Sequence, residues 1–419
     1  MNSKDLLARD YKSNIQNLLQ TKLELRNKLS PEEVNSILNP EITDEAQLSC
    51  VIKFRELLAD KVMESHSNQD LLRFLKARNF NLDQTVSMYD EMLEIRSKFG
   101  LVEPDFLLSH TPLEAFMNHY PFGLLGKCKE GYPIVYDFPG RVDVKGFALA
   151  ISDDEFAKQI LWNLESLLLM MENKSLSEGK LVDKWTVIVD VRELSFDLFS
   201  KSQMTRNAKI QRLFDIGYPE RVHKLIVVNL SPLFDIGYKL FRPFIPEATR
   251  EKIVVTKNTG ELLNYVDADQ LPVVYGGTLV DSNGDPECKE WISLGSKVNP
   301  NLYKYNLIQS DTSMRHVQIT PRNHHEIEIW ADQNDVIKYK FCTDSKLVRF
   351  GVFILSSQGK KDKVWNVPRK SIGVEKQIVE GSVEVGRSDN FVFYFENKWL
   401  KTVNISVAIE VCQSNADDS

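Results

Sequence analysis

Few residues in this chain are of types suited to chemistry, and their spacing decides what they can do. His324-His325-Glu326, followed by Glu328, is the densest group of metal-ligand types. On a strand, alternate side chains face opposite ways, so His324, Glu326 and Glu328 would share one face and His325 would take the other. That reads as an exposed polar strand face rather than a metal centre. The cysteines (Cys50, Cys128, Cys288, Cys342 and Cys412) are odd in number and scattered. They match neither a disulfide framework nor a zinc-ligand spacing, which fits a reducing compartment. The sequence contains no G-x-x-x-x-G-K-[ST], no G-x-G-x-x-G after a strand, no G-x-S-x-G and no H-E-x-x-H. With seven histidines and no paired acid and base, the expectation is a protein that is not an enzyme and holds no metal or cofactor.

The more informative stretch is Ser231-Pro-Leu-Phe-Asp-Ile-Gly-Tyr-Lys-Leu-Phe-Arg-Pro-Phe-Ile245. Ser231 can N-cap and Pro232 suits N1, so a helix should begin directly after the strand that ends near 230. Asp235, Lys239 and Arg242 form one narrow polar stripe, and Leu233, Phe234, Ile236, Tyr238, Leu240 and Phe241 cover nearly all the rest. A helix apolar around most of its circumference must bury two sides or meet something greasy. Patterning alone leaves two readings open, a core helix and a mobile lid over an apolar cavity.

The elements around this stretch follow from periodicity. Tyr11, Ile15, Leu18, Leu25 and Leu29 repeat at helical spacing, interrupted by Lys22; the helix is either docked on the body or free to touch a partner or membrane. Residues 41–118 read as a helical lobe, with Leu82, Val86, Tyr89 and Leu93 on one face behind an Asn81 N-cap. From about 119 the pattern changes to short continuous apolar runs, at 134–136, 185–189, 225–228 and 253–255, alternating with helical stretches at 156–171 and 201–215. Continuous runs suit strands buried on both faces, so this region is α/β. A polar turn, Asp281-Ser-Asn-Gly-Asp-Pro286, marks a boundary. Beyond it Val348, Phe350, Val352 and Ile354, and Val403 to Val411, alternate strictly, as in an all-β antiparallel, jelly-roll-like sandwich. The division expected is 1–40, 41–118, 119–285 and 296–415.

Composition excludes other classes. The net charge is −7 with 26% charged residues, and no dense Lys/Arg stripe offers the phosphate contacts that a nucleic-acid partner requires. There is no apolar leader and no run near the roughly 20 residues of a membrane span, so the chain is expected to be cytoplasmic.

Five segments in order resemble the CRAL-TRIO lipid-binding family: Leu71-Leu-Arg-Phe-Leu-Lys-Ala-Arg-Asn-Phe80, Gly131-Tyr-Pro-Ile-Val135, Tyr218-Pro-Glu-Arg221, the 231–245 stretch and Pro272-Val-Val-Tyr-Gly-Gly277. The tail resembles a GOLD domain, an arrangement similar to that of the supernatant protein factor and tocopherol-associated protein group. The resemblance implies a helical N-lobe, an α/β lipid pocket and a gate at 231–245 formed by Leu233, Phe234, Tyr238, Phe241 and Phe244. It further implies a headgroup set for phosphatidylinositol at Arg78, Glu220, Thr249 and Lys252, whose alternative is a structural salt-bridge network. The pocket would be walled by Leu164, Leu168, Ile188, Ser195 and Val228. Choline-recognising members use tyrosines where this chain has Leu124 and Val135, which favours an apolar second ligand such as tocopherol or squalene over phosphatidylcholine. The expected partners are one lipid, a transient membrane surface (Golgi or other) and a protein that meets the GOLD domain. An adaptor acting through that domain is the competing reading.

Overall fold

A computed structural model describes residues 11–63, 65–101, 105–245, 247–304, 314–344, 348–355, 361–363, 370–372 and 378–413. The chain divides into two compact units, 1–145 with 152–297, and 146–151 with 298–419.

The first unit opens with α1 (Tyr11–Asn27), α2 (Pro31–Leu38), α3 (Glu45–Leu58), α4 (Asn68–Ala77), α5 (Leu82–Phe99), α6 (Asp105–Ser109) and α7 (Glu114–His119). Side chains set their starts: Ser30 and Ser67 form capping boxes with Glu33 and Asp70, and Asn81 accepts from the Gln84 N–H at 3.0 Å, as its position predicts. Of the two readings of the N-terminal helix, the docked one holds. Ile15 and Leu18 are buried against the long helix at 153–178, and Asn173 donates to the Leu18 carbonyl at 2.9 Å.

The chain then builds β1 (Phe122–Lys127), β2 (Pro133–Asp137), α8 (Val144–Ala150), α9 (Asp153–Glu178), β3 (Trp185–Asp190), α10 (Lys201–Gly217), β4 (Val222–Val228), α11 (Phe234–Phe241), α12 (Glu247–Arg250), β5 (Ile253–Val255) and β6 (Ile292–Ser293). The six strands order as β5-β4-β3-β2-β1-β6. β2 to β5 are parallel, and β1 pairs antiparallel with β2 and β6. All four apolar runs read from the sequence are strands of this sheet. β1 and β6 were not foreseen. Glycines disguise β1: a Cβ on Gly123 would lie 2.8 Å from Ile292 of β6, and Gly126 has φ +73°.

The second unit is an antiparallel sandwich. One sheet runs β11 (Lys361–Lys363), β10 (Val348–Leu355), β14 (Asp389–Asn397), β8 (His324–Ala331), with β12 (Lys370–Ile372) also on β10; the other runs β13 (Ile378–Glu384), β9 (Val336–Thr343), β15 (Val403–Cys412), β7 (Arg315–Ile319). The period-two residues Val348, Phe350, Val352, Val403, Ile405 and Val407 all point into its core, around the rings of Phe341, Phe393 and Phe395. His324 and Glu326 share a face as expected, 3.3 Å apart, with His324 stacked on Tyr394.

Candidate functional site

The two faces of the six-stranded sheet are packed differently. On the outer face Ile134, Tyr136, Ile188, Ile226 and Val228 are at most 1% exposed, sealed beneath Leu262, Val266, Leu271 and Tyr275. On the inner face, toward α9, Val135, Asp137, Val187, Val189 and Leu225 are only half-buried, whereas Leu124, Trp185 and Val227 of the same face are at most 4% exposed. Val135 and Val187 border the cluster that contains Leu161, Leu164 and Leu167 of α9. Interior strands of a parallel sheet covered by helices normally bury both faces. Here one face is incompletely covered.

Other residues show the same mismatch. Burial pushes the Asp137 carboxyl up to about 6 and raises the Tyr120 phenol, yet both side chains keep part of their surface uncovered by protein. Asp215 of α10 behaves alike, pushed up to about 6 by burial and accepting from Gln211 at 2.8 Å. Met204, Ala208, Ile210, Leu213 and Phe214 of α10 are half-buried as well. These groups are desolvated by burial while part of each residue's surface stays uncovered. The shallow polar hollows over α5, lined by Asp83, Asp90, Glu91, Glu94 and Arg212 or by Arg78, Gln84 and Met88, belong to the surface and are a different feature.

The expected pocket residues distribute over both faces. Leu164 is buried and Leu168 half-buried on α9, bordering the inner face. Ile188 and Val228 lie in the outer-face core, because adjacent residues of a strand point oppositely and each is one position out of register with the inner face. Ser195 is exposed in the loop after β3. Leu124 and Val135 are directly paired across β1 and β2.

Of the expected headgroup set, the fold joins three. Glu220, held at φ +58° between α10 and β4, accepts from Lys252 Nζ at 2.7 Å, and the Thr249 carbonyl accepts from the Lys252 N–H at 3.0 Å. Arg78 ends α4, donates to the Ala77 carbonyl at 2.9 Å, and acts electrostatically on Asp215, five residues before Glu220.

Beside them lies a buried ionic network that sequence reasoning missed, although Arg73 and Arg221 stand inside two of the family segments. Arg73 bridges Asp70 and, at 2.6 Å, Asp183; Arg221 bonds Asp70 at 2.9 Å and the Asp183 carbonyl at 3.0 Å. Burial, then the neighbouring Arg73 charge, lowers Arg221 to about 10, while both arginines hold Asp70 well below the usual carboxylate range against its own desolvation. Arg96 and the Tyr218 hydroxyl both bond Glu165 at 2.7 Å. These pairs tie α4 and α5 to α9 and the sheet.

Helix α11 starts later than expected. Phe234 is its first residue, Leu233 precedes it without a side-chain cap, and the Ser231 hydroxyl is buried with no protein partner. The Ser231 carbonyl instead closes a turn by accepting from the Phe234 N–H at 2.9 Å, which displaces the helix by two residues. Phe234 and Tyr238 stack at 5.8 Å and are half-buried, as is Leu233, whereas Ile236 and Leu240 on the opposite side are 46% and 42% exposed. Gly237 sits close against the Phe199 ring. The Phe241 and Phe244 side chains lie outside what the structure describes. Phe196, edge-on to Phe199, and Leu230 are also exposed, 72% and 45%. Among the described residues no helix is long and apolar enough to cross a membrane.

Residues 117–277 match the CRAL/TRIO domain model. Two curated relatives of Arabidopsis thaliana are similar: phosphatidylinositol/phosphatidylcholine transfer protein SFH7, 26% identical over 64% of this chain and 50% of its own length, and SFH12, 28% identical over 58% and 46%. The chain thus spans about half the length of the curated relatives it matches. The crystal structure of Sfh5 aligns with 64% of this chain and 96% of its own, at 18% identity and a TM-score of 0.44.

Proposed function

We propose that this protein encloses a single lipid between the inner sheet face and helices α9, α10 and α11, and exchanges it at membranes, with α11 as the gate. The observation that supports this most is the half-covered inner face at Val135, Val187 and Val189, beside a fully sealed outer face. A lipid chain filling such a space is stabilised by roughly 0.8 kcal/mol per buried methylene. The two-sided exposure of α11 suits a gate. Half-buried Phe234 and Tyr238 would cover the lipid, and exposed Ile236 and Leu240 would be received by a bilayer.

Phosphatidylinositol is the headgroup ligand proposed for Arg78, Glu220, Thr249 and Lys252. Arg and Lys offer charge-assisted bonds to a phosphate, and Glu220 can accept from inositol hydroxyls once a ligand competes for Lys252. An isoprenoid such as tocopherol or squalene is the proposed apolar alternative, and no catalytic step is assigned. Native mass spectrometry of the purified chain tests enclosure: one lipid per protein is expected, and an empty protein under conditions that preserve lipid complexes refutes it. Arg78→Ala with Lys252→Ala should abolish phosphatidylinositol exchange while a neutral apolar lipid stays bound. Equal loss of both ligands would make these residues structural.

The sandwich is proposed to be a GOLD domain that meets a protein partner, a reading favoured by Trp330, which is 62% exposed on β8 at the edge of its described sheet. If Trp330→Ala alters localisation in cells and leaves lipid exchange intact, the sandwich acts as the adaptor; unchanged localisation removes Trp330 from that role.

A further inference from the structure

We propose that Cys128, Glu130 and His223 form a zinc site at the end of the sheet, beside the Gly131–Val135 and Tyr218–Arg221 segments. The three residues come from two places. Cys128 and Glu130 lie in the tight turn between β1 and β2, closed by bonds from the Cys128 N–H to the Tyr132 carbonyl at 2.9 Å and from the Gly131 N–H to the Cys128 carbonyl at 2.8 Å. His223 is the second residue of β4, with β3 between the two in the sheet. The fold nonetheless brings the thiol, the carboxylate and a ring nitrogen within 4.8 Å of one another.

His223 Nε2 is buried and lies 3.3 Å from Glu130 Oε1, a close contact between two groups of ligand type. Zinc at about 2.0–2.3 Å from each ligand sets neighbouring ligand atoms about 3.4 Å apart. The imidazole and carboxylate already stand at that separation, and a rotation of the Cys128 side chain brings in the sulfur. The Tyr132 ring, centred 4.9 Å from the His223 ring, packs against the imidazole and orients it.

The donor set names the metal. Thiolate with imidazole selects zinc over magnesium or calcium, and thiolate plus carboxylate neutralise a divalent ion despite the nearby Lys184 and Lys224. Cys128 is 3% exposed, but the Glu130 side chain is 45% exposed, so the fourth position opens to water. Loss of the thiol proton on binding leaves a site of zero net charge. An ion held there clasps the β1–β2 turn to β4, three residues after Glu220.

The test is titration of the full-length, reduced, chelator-stripped protein with ZnCl2 by calorimetry and with CoCl2 by absorption. One Zn2+ should bind with submicromolar Kd, and Co2+ should show a thiolate-to-cobalt charge-transfer band with four-coordinate d–d bands. Cys128→Ser should remove the band and weaken zinc about 100-fold, and Glu130→Gln about tenfold, while Cys50→Ser with Cys412→Ser changes neither. Circular dichroism checks folding; should Cys128→Ser not fold, Glu130→Gln carries the test, since that side chain is half exposed. Absence of one-to-one zinc binding by the unaltered chain, or binding unchanged in the Cys128→Ser or Glu130→Gln protein, overturns the proposal.

Discussion

Neighbouring residues of β3 provide the sharpest check on the chamber. Val187 points to the half-covered face, and Ile188, one step along, is 0% exposed among Tyr136, Ile226 and Leu262. The same enlargement should therefore act differently at the two positions. Ile188→Phe forces extra volume into a packed core and should cost about 1–3 kcal/mol of folding stability. Val187→Phe adds about four carbon atoms where space exists, and should cost the lipid-free protein less than about 1 kcal/mol. Its effect falls on the ligand instead. Displacing two to three methylenes at roughly 0.8 kcal/mol each removes about 2 kcal/mol of lipid binding, a loss of about thirtyfold. Lipid-stripped proteins should be unfolded in urea, because bound ligand would itself raise the midpoint. Lipid occupancy is then read by native mass spectrometry, and exchange by transfer of a fluorescent lipid between vesicles. If Val187→Phe destabilises the stripped protein as much as Ile188→Phe and leaves occupancy unchanged, side chains fill the inner face and the reasoning fails.

Three further outcomes follow from single groups. Asp137, raised to about 6 when folded against 3.8 for an ordinary aspartate, is ionised first in the unfolded chain, so its contribution weakens the fold as pH rises from about 4 through 6; Asp137→Asn should therefore raise stability by about 2–3 kcal/mol at pH 8 and by almost nothing at pH 4, as pH-dependent urea midpoints would reveal. Arg96→Ala leaves the Glu165 carboxylate, 2% exposed, with the Tyr218 hydroxyl as a bonding partner and should cost about 3–5 kcal/mol; adding Glu165→Ala should restore part of that loss, and strict additivity in the double-mutant cycle would deny the coupling. In the sandwich, Asn397 is fully buried, donates to the Ile319, Thr320 and Lys401 carbonyls and accepts from the Trp399 N–H; Asn397→Ala should cost about 3 kcal/mol in denaturant unfolding, and a loss under about 1 kcal/mol would mean that water replaces those bonds.

Periodicity made the architecture legible, and the limits of periodicity explain what stayed hidden. Val348 to Ile354 and Val403 to Val411 alternate because one face of each sandwich sheet meets a core and the other meets solvent, so facing could be read directly. Apart from Thr186, Trp185 to Val189 is apolar, because helices or loops pack against both faces. Such a run marks a strand without saying which residue looks which way, and Ile188 and Val228, expected among the pocket walls, lie in the outer-face core. A shift of one residue exchanges every side chain between the faces. The start of α11 was misplaced for a related reason. Ser231-Pro232 has the local signature of a cap, but the chain spends those residues on a turn out of β4, and the tertiary path outranks the local preference. Arg73 and Arg221 were visible as letters inside recognised segments, whereas their shared dependence on Asp70 and Asp183 exists only once the helical lobe meets the sheet.

These misses have a common physical origin that bears on where specificity lies. The apolar walls on α9 and β3 require only greasy residues of roughly fitting volume, so they are easily read and carry little information about the ligand. Discrimination must instead come from the polar groups set into that greasy surround. Under the lipid reading proposed above, Asp137 and Asp215 are candidates, carboxyls that burial has lifted to about 6, one at the end of β2 and one on α10 within reach of the Arg78 charge. A group desolvated without a salt bridge is costly to keep and gains most from a ligand that bonds it. It follows that exchanging Asp137 or Asp215 for its amide should change which lipid is retained more than how much lipid is retained. Enlarging Val187 should do the reverse. Lipid profiles of the variants, compared in total amount and in headgroup or terminal polarity, separate the two effects, and a parallel change in both quantities for all variants would show that walls and polar groups are not independent.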